Sequence, residues 1–217
     1  MGAITRAAAN NITTGGVILP AGINDASVAS ITELAQVSAG DGITLISSQT
    51  ASSSASLSFT GIDSTYRTYL FKFINCHPSS AQKFSFNLST DNGSNYNVTK
   101  TTTMFRAQHD EADTDGNQYY EGGNDVAQST GYAPLSEKTD TANDASISGT
   151  LYLFNPSSTT YVKHFMSHTN TFFNTDAYCQ TNLMGGYGNT TSAINAIDFK
   201  FASGNIDSGT IYMYGIA

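Results

Sequence analysis

The closing stretch of the chain, Ile194 to Ile216, decides the fold and reads INAIDFKFASGNIDSGTIYMYGI. From Ile197 to Phe201 apolar and charged residues alternate, which is the period-two pattern of a strand with one buried face. From Thr210 to Ile216 both alternating sets are largely apolar, which is typical of a strand covered on two sides. Ser203-Gly204-Asn205 separates the two runs with residues that tolerate a left-handed backbone. We therefore predict a β-hairpin whose second strand lies centrally in its sheet.

Similar strand-like runs recur upstream, and polar turns separate them. They are Ile43 to Ile46, Leu57 to Phe59, Thr68 to Cys76, Lys83 to Leu88, Ile147 to Phe154, Tyr161 to His168 and Tyr178 to Met184. Asp91 to Ser94 contains the Asn-Gly pair of a hairpin turn, and the return strand is predicted to begin at Tyr96 to Val98. Gly185 to Gly188 is predicted to be a turn. Many short strands predict an all-β fold for residues 43–217, an antiparallel β-sandwich or jelly roll.

Residues 1–42 differ from the rest and are predicted to form an extended arm with one short helix. Asn24 to Ser27 offers helix N-caps before an apolar helical face. A helix of about ten residues is too short to be stable alone in water, so this face must dock on something. The residues predicted to anchor the arm are Val17, Ile18, Leu19, Val28, Ile31 and Leu34.

Residues 107–146 are polar and weakly patterned, and they are predicted to form a long loop. Ordered excursions of this length are usually functional or covered by a partner. Tyr119, Tyr120 and Tyr132 lie in this segment, and rings of this kind stack on sugars. Tyrosines are also common as packing and interface residues, so that alternative stays open.

The composition excludes several classes of function. Charged residues make up 12% of the chain, about half the usual share, and the net charge is −8 with a pI near 4.7. A chain this acidic, with no basic patch, is not expected to bind nucleic acid. No apolar run is long enough to span a membrane, and the start of the chain lacks the apolar core of a secretory signal. We therefore expect a protein made in the cytoplasm, without membrane contact.

The acidic segment from Asp113 to Glu121 resembles a calcium loop in composition but not in spacing. An EF-hand loop needs glycine at its sixth position and an acid at its twelfth, where this chain has Gln118 and Asn124. A solvated acidic loop is the preferred prediction. No metal site is predicted here.

Histidine and cysteine spacing gives no catalytic or metal-binding motif. His164 and His168 would lie about 13 Å apart along one strand, too far to chelate one metal. Cys76 and Cys179 are predicted to be buried thiols, although a disulfide between neighbouring strands stays open. No pattern pairs a base with a nucleophile, so we expect no enzyme activity and no cofactor.

Two stretches together resemble a known family. They are Phe59 to Asn97, FTGIDSTYRTYLFKFINCHPSSAQKFSFNLSTDNGSNYN, and the closing stretch. They resemble the jelly-roll or β-sandwich domain of tailed-bacteriophage virion proteins: fibres, tail appendages and head-decorating proteins. The matching motifs are the Ser-Thr-Asp-x-Gly-Ser turn at Ser89 to Ser94 and the closing Ser-Gly-Asn-Ile…Tyr-Gly-Ile at Ser203 to Ile216.

The resemblance implies a homotrimeric structural protein of the virion. In that family the N-terminal segment attaches to the particle and the β domain is displayed outward. Residues 1–42 are therefore expected to contact other capsid or tail proteins, and no catalytic residue carries over. The alternative is a receptor-recognition domain of the same kind of particle, with loop 107–146 binding a host surface glycan.

Overall fold

The computed structural model describes residues 42–173 and 177–217, and these consist of β-strands joined by turns and loops. All strand pairs are antiparallel, so the predicted all-β antiparallel class is confirmed. The predicted short helix, and all of the predicted arm except Gly42, lie outside the described residues. The strands are β1 (Ile43–Thr50), β2 (Leu57–Thr60), β3 (Thr68–Pro78), β4 (Gln82–Ser89), β5 (Lys100–Asp110), β6 (Gly116–Tyr120), β7 (Ala133–Thr139), β8 (Ile147–Phe154), β9 (Lys163–Phe173), β10 (Tyr178–Gly188), β11 (Ala196–Phe201) and β12 (Ile206–Ile216).

The strands form two sheets that pack face to face as a β-sandwich. The eight-stranded sheet has the order β1-β12-β3-β8-β9-β10-β5-β6, and the four-stranded sheet has the order β2-β11-β4-β7. The β5–β6, β8–β9 and β9–β10 connections stay within the larger sheet, and the other connections cross between sheets. Sequence neighbours therefore end on opposite sides of the core, and the fold depends on contacts that are distant in sequence.

Phenylalanine rings from both sheets fill the middle of the core. Phe199 on β11 is fully buried, and it contacts four other rings. Its ring centroid lies 5.1 Å from that of Phe73, 5.3 Å from Phe71, 6.1 Å from Phe84 and 6.3 Å from Phe59. The pairs with Phe73 and Phe59 meet edge to face, an arrangement that the ring quadrupole favours. The predicted apolar face of the first closing strand is thus the centre of the core.

The closing stretch contains both predicted strands, but the predicted hairpin between them is wrong. β11 pairs with β2 and β4 in the four-stranded sheet, whereas β12 pairs with β1 and β3 in the eight-stranded sheet. The link from Ala202 to Asn205, with Gly204 at φ 74°, crosses from one sheet to the other. A period-two pattern shows which face of a strand is buried but not which strand it pairs with. Both arrangements bury the same apolar faces, so the sequence does not separate them.

The predicted central position of β12 is confirmed, because this strand lies between β1 and β3. Its two faces differ, however. Ile211 and Met213 are buried against the four-stranded sheet, while Tyr212 and Tyr214 on the opposite face are partly exposed. The sequence predicted that both faces of this strand are covered. In the described part of the chain only the face that carries Ile211 and Met213 is covered.

The predicted turn at Asp91 to Ser94 is present, but it does not close a hairpin. Asn92 and Gly93 have φ values of 58° and 85°, as a tight turn with two left-handed residues requires. The Ser94 amide donates to the Asp91 carbonyl at 3.3 Å. The strands on either side, β4 and β5, belong to different sheets, and β5 begins at Lys100 rather than at Tyr96.

The segment 107–146 is not one long loop, as predicted, since it holds the end of β5, all of β6 and all of β7. β6 is an edge strand and every residue in it is exposed. β7 buries polar Ser136 and Thr139 beside its apolar residues. Neither strand shows apolar alternation, which explains why the pattern did not reveal them.

The glycines from Gly185 to Gly188 form the end of β10 rather than the predicted turn. A Cβ on Gly186 would lie 2.5 Å from the carbonyl oxygen of Thr101 and 2.7 Å from the Phe165 ring. Glycine here permits the close approach of β5 and of a core phenylalanine. Its role is packing rather than chain reversal.

Candidate functional site

The eight-stranded sheet has one face on the core and a second face, here called the outer face, that is turned away from it. The strand register places one row of side chains across this face from β1 to β9. The row consists of Leu45, Tyr214, Leu70, Tyr152 and Met166. Leu45 and Met166 expose 52% and 59% of their surface. A band of apolar side chains therefore crosses most of the sheet.

A second, mixed row reaches the other edge of the sheet, with polar Lys72, Thr150 and His168 between its apolar and aromatic members. It consists of Tyr212, Lys72, Thr150, His168, Leu183, Phe105 and Tyr120. Phe105 exposes 42% and Leu183 36% of its surface. Soluble monomers seldom expose large contiguous apolar patches, and such patches usually mark an interaction site.

A depression of about 330 Å³ lies in the middle of this face. It is lined by Thr150, Tyr152, Phe154, Met166, Ser167, His168 and Leu183. The rings of Tyr152 and Phe154 form one wall, stacked with 6.2 Å between their centroids. The depression is large enough to accept an apolar side chain from another surface.

The outer face has few charged groups. The sequences of β1, β3, β8, β9 and β10 contain no aspartate or glutamate, and β12 contains one, Asp207, near its start. Lys72 is exposed on this face, as are His164 and His168. Within the described residues, the acidic side chains therefore lie mostly in other strands and in loops.

The two histidines of β9 share the outer face, as the strand pattern predicted. His164 packs near Tyr187, with 6.3 Å between ring centroids. Within the described residues, no group of three or more His, Cys, Asp or Glu side chains could hold a metal ion. Both histidines are therefore assigned to the polar part of this face.

The start of the acidic segment lies in the turn between β5 and β6, and Asp110 at the end of β5 holds this turn together. Asp110 accepts hydrogen bonds from the amides of Thr114 and Asp115 at 2.8 Å and 3.0 Å. Hydrogen bonds from the Thr114 hydroxyl and from the Asp115 amide lower the pKa of Asp110 to about 2. Asp113 pairs with His109 at 3.2 Å, and Glu121 pairs with Arg106 at 2.9 Å.

The three candidate sugar-binding tyrosines lie in two different places. Tyr119 and Tyr120 are on the edge strand β6, where Tyr119 stacks 5.0 Å from the Arg106 guanidinium carbon and Tyr120 is 70% exposed. Tyr132 packs on the four-stranded sheet, and its hydroxyl donates to Asp198 at 2.7 Å. Glycan binding by these residues stays a prediction.

The two thiols also lie in different environments. Cys76 is fully buried, and burial raises its pKa to about 12. Cys179 is exposed on β10, so the prediction of a buried thiol is wrong for this residue. Both thiols are free. The sequence predicts the strand around Cys179, but alternation alone does not show that its odd-numbered positions face outward.

A buried cation, Lys100 at the start of β5, was not singled out by the sequence. Its ammonium group donates to Asn87 Oδ1 at 2.5 Å, to the Gly131 carbonyl at 2.6 Å and to the Val98 carbonyl at 3.0 Å. These acceptors are neutral oxygens, and desolvation lowers the pKa of Lys100 to about 8. The lysine ties the chain around Gly131 to the outside of the four-stranded sheet, so we assign it a structural role.

Raising the pH from 7 to 9 should stabilise the wild type relative to Lys100→Met by about 1 kcal/mol. Lys100 has a pKa of about 8 in the folded protein and near 10.4 when unfolded. Between these values the unfolded chain binds more protons, so the free energy of unfolding rises with pH. Urea unfolding of both proteins at each pH measures the difference between their free energies of unfolding. The contributions of all other titrating groups are common to both proteins and cancel in this difference. If the free energies of unfolding of the two proteins change in parallel with pH, the structural role assigned to Lys100 is contradicted.

The six predicted anchoring residues of the arm, Val17, Ile18, Leu19, Val28, Ile31 and Leu34, lie outside the described residues.

The chain matches no protein-family model, no curated protein and no solved structure. In the described part of the chain no helix is long and apolar enough to cross a membrane. The outer face is therefore the candidate functional site that the geometry offers.

Proposed function

We propose that this protein is a structural, non-enzymatic protein of a tailed-bacteriophage particle. In this proposal it is a homotrimeric fibre, tail appendage or head-decoration protein. Residues 1–42 attach it to a capsid or tail protein, and the β domain is displayed on the surface of the virion. The connections that alternate between the two sheets favour the jelly-roll form of the sandwich.

The observation that carries the proposal is that the two stretches with the family resemblance form one structural unit. β4 from the first stretch pairs with β11 from the second, and β3 pairs with β12. The turn at Ser89 to Asn92 is also tied to the closing stretch. The Asn195 amide donates to the Ser89 carbonyl at 3.0 Å, and the Asn92 amide donates to Asn195 Oδ1 at 2.8 Å.

This pairing supports the proposal, because both stretches belong to the same two sheets. The paired strands contribute to both sheets and carry the central phenylalanines of the core. A domain with an apolar outer face and few charges suits permanent assembly. Exposing such a face to water is unfavourable, and a partner that covers it removes this cost.

Deleting residues 1–42 from the protein encoded by an infecting phage should leave a folded β domain that no longer joins particles. Particle incorporation is measured by protein mass spectrometry of purified virions, and folding is measured by circular dichroism of the truncated protein. A truncated protein that still incorporates at the wild-type level would overturn the proposed anchor.

A full-length variant separates loss of the arm from loss of its apolar face. Serine at Val28, Ile31 and Leu34 should reduce incorporation as deletion does, because these residues share the predicted helical face. Ala29→Ser, on the opposite side of the predicted helix, is the control and should incorporate normally. Equal incorporation of both variants would contradict the role of the apolar face.

A further inference from the structure

The outer face of the eight-stranded sheet lacks a partner in the described part of the chain, although several of its side chains are of types that are usually buried. Met166, Phe105 and Leu183 are exposed, and the stacked rings of Tyr152 and Phe154 stand beside a depression of about 330 Å³. Polar side chains would cost less free energy in water, so exposed residues of this kind indicate a contact.

We propose that copies of this chain associate through the outer face of the eight-stranded sheet. This inference rests on the proposed homotrimer, and it assigns the surface through which the copies meet. The contact is centred on Met166 and Leu183, which are exposed and line the depression. An apolar side chain of one copy enters the depression of the next.

The distribution of charge favours a second copy as the partner. Two chains with a net charge of −8 repel each other wherever their carboxylates meet. The outer face avoids this cost, since β8, β9 and β10 carry no acidic residue. It also lacks the dense charge that would recognise a strongly basic or acidic partner.

The sequence pattern gives independent support for a cover on this face. From Ile211 to Ile216 of β12 both alternating sets are largely apolar or aromatic, and β8 repeats the pattern with Leu151 and Leu153 inside and Tyr152 and Phe154 outside. Strands patterned on both sides are normally buried on both sides. The four-stranded sheet supplies one cover, and a neighbouring copy supplies the other.

Tyrosine hydroxyls make the face compatible with itself. Tyr152, Tyr212 and Tyr214 each present an apolar ring and a hydroxyl that both donates and accepts hydrogen bonds. Tyr212 and Tyr214 stack with 6.2 Å between ring centroids, which limits the side-chain entropy lost when a partner covers them. Aromatic residues with such a polar tip are enriched in the cores of interfaces.

The test compares the full-length wild type with the double variant Met166→Glu, Leu183→Glu. Light scattering during size-exclusion chromatography gives the molar mass, and sedimentation on dilution gives the dissociation constant. The wild type should be a trimer. The double variant should be a monomer, with a dissociation constant raised by about a hundredfold or more, because unpaired charges enter an apolar contact.

Two further variants keep the result interpretable. Thr141→Glu with Ser203→Glu adds the same charge at exposed positions in connections between the sheets, and it should stay trimeric. Met166→Ala with Leu183→Ala adds no charge and should weaken association by about tenfold. Circular dichroism should show the same fold for all variants, since each replaced side chain is at the surface of the single chain.

A trimer unaffected by the glutamate pair would overturn this inference, and so would a wild type that is monomeric at all concentrations. If the wild type is a monomer and the double glutamate variant melts at a lower temperature, residues 1–41 of the same chain cover this face instead. A monomeric wild type that still joins particles overturns the interface and the proposed homotrimer, but it leaves the proposed attachment to the particle through residues 1–42. If the wild type is a trimer that the glutamate pair disrupts, but the protein is absent from particles, the interface is supported and the proposed function is overturned.

Discussion

Replacing Phe199 by alanine lowers the free energy of unfolding by about 3–5 kcal/mol, the range for a large aromatic side chain removed from a packed core. The ring is fully buried between the sheets and contacts four other phenylalanine rings. Removing it leaves a cavity that stiff aromatic neighbours cannot readily close. Small domains have only about 5–15 kcal/mol of stability in total, so the variant is expected to be partly unfolded at moderate temperature.

Urea unfolding followed by tyrosine fluorescence measures this loss, because the chain has twelve tyrosines and no tryptophan. Protein concentration is held constant, since association would add to the apparent stability. Tyr161→Ala is the matched control: it also removes a large aromatic side chain, but from a site that is 69% exposed. Its effect should stay within about 0.5 kcal/mol. Similar losses for the two variants would contradict the assigned core.

Replacing Gly209 by alanine should cost about 3 kcal/mol, combining backbone strain and steric overlap. Gly209 has φ 113°, a conformation that residues with a side chain rarely adopt. A Cβ there would lie 2.6 Å from the Asn75 carbonyl oxygen and 2.6 Å from the Cys76 Cα. Both contacts are with the backbone of β3, so a change of side-chain rotamer cannot relieve them.

The strain falls at an irregular part of the fold. The β3–β12 register shifts on both sides of Ser208, and Asn75 on the opposite strand has φ 49°. Gly185→Ala is the control, because it also lies in a strand but a Cβ there meets no atom within 4 Å. That variant should change stability by less than about 0.5 kcal/mol. Equal melting temperatures for the two variants would show that the irregular region around Ser208 can accommodate a Cβ at position 209. The predicted backbone strain would then be contradicted.

The candidate site was only partly visible in the sequence. The apolar character of Tyr212, Tyr214 and Ile216 was plain, and it predicted a strand covered on both sides. The tyrosines of β6 were singled out as well, although Tyr132 lies on the four-stranded sheet. The row from Leu45 to Met166 was not visible, because its members come from strands distant in sequence and meet only through the register.

Buried polar groups were the hardest features to predict. Lys100 was not singled out, and nothing near it in the sequence marks it as buried. Its acceptors Asn87 and Gly131 come from distant segments, and these acceptors allow an ammonium group to lose its water. Cys179 shows the converse, since a residue type that is usually buried faces outward on β10.

By itself the sequence determined the all-β class, the positions of most strands, the core-facing side of β11 and the tight turn at Asn92-Gly93. These features follow from local periodicity and from backbone preferences, which neighbouring residues settle among themselves. The tertiary structure alone decided that β11 and β12 lie in opposite sheets, that residues 107–146 contain strands and that one side of β12 is left open. The physical reason is that alternation specifies a buried face, whereas pairing is chosen by which distant strands can bury that face together.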